Sequence, residues 1–67
     1  MPAFEVWTSP GGKVWAGLDQ EEALLTGVRH RQVGVLIEVA EIYDTLGQLR
    51  PRCIATFDDR LAAETAQ

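Results

Sequence analysis

Sixty-seven residues, 46% of them apolar, with ten acids, six bases and a formal net charge of −4, are expected to form a single small acidic domain spanning 1–67. One cysteine (Cys53) and one histidine (His30) exclude an internal disulfide and fall short of the ligand set of a zinc site, so no metal and no cofactor is expected. No apolar run approaches the ~20 residues of a membrane span, no signal-peptide pattern opens the chain, and a lone thiol suits a reducing compartment, so a soluble cytoplasmic protein is expected.

Residues 3–18 carry the pattern of a β-hairpin. Phe4, Glu5, Val6 and Trp7, then Val14, Trp15, Ala16, Gly17 and Leu18, are rich in aromatic and β-branched types, and Ser9, Pro10, Gly11 and Gly12 between them are turn formers. Opposing Val6 with Trp15 puts the Trp7 and Trp15 rings on opposite faces. Packing of both rings in the core is the plainer reading. Exposure of one makes Trp7 and Trp15 the candidate partner-binding residues, because tryptophan is enriched at binding hot spots.

A short helix is expected over residues 19–26. Asp19 is a capping side chain, Glu22 stands three residues on, Ala23, Leu24 and Leu25 supply an apolar face, and Gly27 is suited to end it.

Residues 28–46 admit two readings. Val33, Val35, Ile37, Val39, Ile42 and Tyr43 are strand formers, and Asp44, Thr45, Leu46 and Gly47 resemble a turn. Closing that hairpin with Tyr43 opposite Gln48 sets Glu41 against Arg50, Ile37 against Ile54 and Val35 against Thr56. In this register Leu36, Ala40, Ile42, Leu49, Cys53, Ala55 and Phe57 share one face, and Val35, Ile37, Val39 and Ile54 the other. The alternative makes 29–46 helical: Ala23, Gly27, Val33 and Leu36 match the spacing of a helix-turn-helix or winged segment, with Arg29, His30 and Arg31 opening a recognition helix as nucleic-acid-binding residues. Gly34 at mid-helix and the lack of a capping residue at 27–32 favour the strand. After a further strand over 52–56, a terminal helix is expected over 58–66 with Thr56 and Asp58 as candidate caps. The expected fold is therefore α+β, in the order β-β-α-β-β-α with antiparallel hairpins.

Catalysis needs a constellation that this inventory lacks. Ser9 sits in a Pro-Gly turn and His30 between two arginines, and nothing in the order of residues brings either to Cys53, so a non-enzyme is expected. Cys53, among apolar neighbours, reads as a small core residue. Glu38 and Glu41 read as a solvated face or ion-pair partners. A chain of net negative charge argues against sequence-independent binding to nucleic acid, where phosphate neutralisation supplies the affinity. So short a domain has a thin core of its own, and without disulfide or metal, association is the remaining means of support. The expected function is that of a non-catalytic protein-interaction module acting as a homodimer or higher homo-oligomer, the alternative a small helix-turn-helix regulator.

Overall fold

A computed structural model describes residues 2–61 of the chain. Two strands, β1 (Ala3–Ser9) and β2 (Gly12–Gly17), form the first hairpin; helix α1 (Gln20–Arg29) follows; β3 (Leu36–Thr45) and β4 (Gln48–Asp58) form a second, longer hairpin. The four strands make one antiparallel sheet in the order β2-β1-β3-β4. Helix and sheet thus make an α+β arrangement of strand–strand–helix–strand–strand. Within the segment expected to form a second helix, Asp58 Oδ1 accepts the Arg60 backbone N–H at 3.1 Å, as a cap would, while Thr56 lies inside β4 and residues 62–66 fall outside the described ones. Among the described residues no helix is long and apolar enough to cross a membrane.

Local chemistry explains α1. Asp19 has extended backbone angles, and its Oδ1 accepts the N–H groups of Glu21 at 2.9 Å and Glu22 at 3.3 Å. The helix does not stop before Gly27, as expected, but runs through it to Arg29, with His30 as the C-cap. Gly27 is there for packing. A Cβ at this position would stand 2.9 Å from Val39 Cγ2 and 3.2 Å from Phe57 Cε2, so the bare backbone is what lets α1 lie against the sheet. Ala23 and Thr26 complete the buried stripe. Phe4, Val6, Ala23, Val35, Ile37 and Val39 form the core, with Trp15, Leu24, Ile54, Ala55 and Phe57 packed against it.

Residues 36–45 are a strand, so the recognition helix of the helix-turn-helix alternative is not part of this fold. The strand begins later than expected, because residues 32–35 form a loop in which Gly34 takes a positive φ of 88°. The register of the second hairpin also differs. Leu46 and Gly47 form a two-residue loop with φ of 53° and 79°, the left-handed pair of a type I′ turn, whose twist matches that of the flanking strands. Thr45 rather than Tyr43 therefore faces Gln48, and Glu41 meets Arg52 instead of Arg50. A bulge adds a further step: Val39 pairs with Ala55 and Ala40 with Cys53, leaving Ile54 as the extra residue. A second bulge, between Val6 and Trp7, leaves Val14 extra and sets Trp7 against Lys13.

β1 reaches only as far as the Ala3–Ile42 pair. Beyond it β3 and β4 continue as a two-stranded arm, with no third strand beside it among the described residues. The molecule measures 48 × 20 × 17 Å, and its radius of gyration is 13.1 Å. A compact domain of this length would have about 11 Å.

Candidate functional site

α1 covers one face of the sheet. The other face is open, and residue pairing shows what occupies it. Phe4 and Val6 point to the helix, so Ala3, Glu5 and Trp7 point away; through their pairs, so do Lys13, Glu38, Ala40, Ile42, Pro51, Cys53 and Thr56.

The two faces exchange character along β3 and β4. In the half that carries α1, the helix side is apolar, with Ile37 and Val39 paired to Phe57 and Ala55. The open side there holds Glu38 opposite Thr56. Beyond the bulge the pattern inverts. The helix side now carries Glu41 opposite Arg52 and Tyr43 opposite Arg50, while the open side carries Ala40 opposite Cys53, Ile42 opposite Pro51 and Asp44 opposite Leu49. An extra residue in one strand reverses the alternation of that strand relative to an unbulged one. Ala55 and Phe57 therefore lie on the helix side, not with Leu36, Ala40, Ile42, Leu49 and Cys53 as the unbulged register implies.

The polar side of the arm is internally satisfied. Arg52 is ion-paired with Glu41 and lies 5.7 Å from the Tyr43 ring centroid, and Arg50 donates to Gln48 Oε1 at 2.9 Å. Among the described residues the apolar side has no cover. Leu49 is 76% exposed and Leu46, at the tip, 99%.

The tryptophans part as the opposite-face register implies: Trp15 packs against the core, and Trp7 is 43% exposed on the open face. The Trp7 indole Nε1–H donates to Glu5 Oε1 at 3.0 Å, and Lys13 Nζ reaches Glu5 Oε2 at 3.4 Å while standing 5.8 Å from the Trp7 ring centroid. With its one polar atom bonded, Trp7 presents apolar ring surface. Trp7, Glu38, Ala40, Pro51 and Cys53 line a shallow groove of about 280 Å³. Cys53 is thus an exposed groove residue rather than a core one, its Sγ 3.2 Å from Thr56 Oγ1.

Arg29, His30 and Arg31 do not form a common surface on one helical turn. Arg29 is the last helical residue. His30 caps the helix and donates from Nδ1 to the Thr26 carbonyl at 2.9 Å. Arg31 is clamped to Asp59, Nε to Oδ2 at 3.1 Å and Nη2 to Oδ1 at 2.9 Å, with its guanidinium 5.2 Å from the Phe57 ring centroid. Those hydrogen bonds hold the Asp59 carboxyl below its ordinary range. Next to it, hydrogen bonds from the Arg60 side chain and backbone hold Asp58 at about 2. Ser9 stands at the end of β1 opposite Leu36. Among the described residues no group of three His, Cys, Asp or Glu side chains is placed to hold a metal ion.

The sequence reading places Ala40, Ile42, Leu49 and Cys53 on one face but misses the inversion of the arm and the tip residue Leu46. The sequence pattern that could have found them is a change of phase. Ile37 and Val39 alternate with polar neighbours, then Ala40 and Ile42 take up the opposite phase. Comparison with protein-family models, curated proteins and solved structures returns no match.

Proposed function

We propose that this chain is a non-catalytic protein-interaction module that acts as a homo-oligomer through the helix-free face of its sheet. The observation that supports this reading is the inverted arm, which turns Ala40, Ile42, Leu49, Pro51 and Cys53 to the side that α1 does not cover. An isolated two-stranded ribbon is marginal in water, and an uncovered apolar strip on a small domain is the usual mark of a contact surface.

Sedimentation equilibrium at about 0.1–1 mM tests the reading, a range chosen because small interfaces are weak. A mass near twice 7.4 kDa or above is expected. A monomer throughout that range defeats it. Nucleic acid is not proposed as a partner, since Arg31 is engaged by Asp59 and residues 36–45, which the recognition helix would need, are a strand. A gel shift with mixed-sequence duplex at ~150 mM salt is expected to show no complex.

A further inference from the structure

We infer that two copies of this chain pair arm to arm, with the open sides of the arms face to face and Leu46 of each copy seated in the Trp7 groove of the other. The inference rests on the self-association proposed above and names its surface.

Leu46 is the first reason. It occupies a left-handed position, φ 53°, where a type I′ turn favours asparagine, aspartate or glycine, and its side chain is 99% exposed. A large apolar residue there is unfavourable for the backbone and for hydration alike. Burial against a partner would answer the second of these.

Geometry is the second. The open side of the arm runs from the Ala40–Cys53 pair through Ile42–Pro51 to Asp44–Leu49. A two-fold axis through the middle pair places position 46 of one copy over position 38 of the other. Each lies four residues, or ~13 Å, from the axis. Position 38 is Glu38, paired with Trp7, and both line the groove. The contact is isologous: each copy supplies one knob and one groove, so the assembly closes at two.

Charge selects the occupant. The strip formed by Ala3, Ala40, Ile42, Leu49, Pro51 and Cys53 carries no charge, and Asp44 is the one acid among these pairs. Glu5, Glu38 and Asp58 all lie in the other half of the open face, Glu5 ion-paired with Lys13 and Asp58 with Arg60. A second copy, also at −4, meets least repulsion on the uncharged strip, where the two-fold arrangement sends the acidic halves to opposite ends.

The test is sedimentation equilibrium of the full chain beside Leu46→Asn and Leu25→Asn. Asparagine suits the turn, so Leu46→Asn preserves the fold, and Leu25 is an exposed apolar residue on the outer side of α1. Leu46→Asn is expected to weaken the dimer at least about tenfold, as loss of a contact hot spot does, and Leu25→Asn to change it less than about twofold. In the unsubstituted chain, the Trp7 indole N–H resonance should move with concentration. A dimer that survives Leu46→Asn, or that Leu25→Asn disrupts, overturns arm pairing and leaves self-association standing. A monomer at ~1 mM overturns both, because even a weak specific interface associates at that concentration.

Discussion

Gly27 lies directly on Val39. An added methyl would approach Val39 Cγ2 to 2.9 Å, with Phe57 Cε2 close behind, and Val39 is fully buried and β-branched, so it has little freedom to yield. Gly27→Ala gains about 1 kcal/mol of helix propensity but incurs overpacking of about 1–3 kcal/mol. Net destabilisation of up to about 2 kcal/mol is expected, read by denaturant unfolding. A more stable variant would show that α1 can lift from the sheet without loss.

Leu46→Asn is expected to raise the stability of the monomer by about 0.5–1 kcal/mol while weakening association, because asparagine with Gly47 is the preferred type I′ pair. Unfolding measured at ~1 µM isolates the first effect, since weak dimers dissociate there. Lower stability at that dilution would show that Leu46 packs within its own chain.

Glu41 and Arg52 should couple, and Glu41 and Arg50 should not. A double-mutant cycle on Glu41→Ala and Arg52→Ala is expected to yield about 0.2–1 kcal/mol, the range for an exposed cross-strand pair. The same cycle with Arg50→Ala should give a value indistinguishable from zero. Equal coupling to both arginines would contradict the register.

Acid should loosen the junction of β4 and α1. Asp58 is lowered from 3.8 to about 2, chiefly by the Arg60 side-chain hydrogen bond, and Asp59 is lowered by that from Arg31. Carboxyls depressed in the folded state contribute stability that is complete above their unfolded value and lost as pH falls through the folded one. Melting temperature should therefore drop between about pH 4 and about pH 2. Asp59→Asn should drop less steeply. Asp58 is exposed and Asp59 only half-buried, so the effect is small and salt-sensitive. Parallel curves for the two proteins would remove Asp59 from the account.

The elements with local chemistry were legible in the sequence. Asp19 caps α1 through its own side chain, the first hairpin follows from its turn formers, and the crowd of Val, Ile and Tyr over 33–43 outweighs the helix-turn-helix spacing of Ala23, Gly27, Val33 and Leu36. What escaped depends on contacts distant in sequence. Gly27 looks like a helix end, and only the approach of Val39 and Phe57 makes it an interior packing residue. Bulges at Val14 and Ile54 leave no mark in composition, yet the one at Ile54 decides which face Ala55 and Phe57 join. The two-residue turn at Leu46 and Gly47 is hidden because leucine is a poor fit for a left-handed position.

The 48 Å length of a molecule only 20 × 17 Å across has a hydrodynamic consequence. An elongated particle experiences more drag than a sphere of equal mass, so a lone copy elutes early from a sizing column calibrated with globular standards. Arm-to-arm pairing extends the assembly along the same axis and exaggerates the effect. Elution volume will overstate the mass of one copy and of two, whereas sedimentation equilibrium, in which friction cancels, reads mass directly.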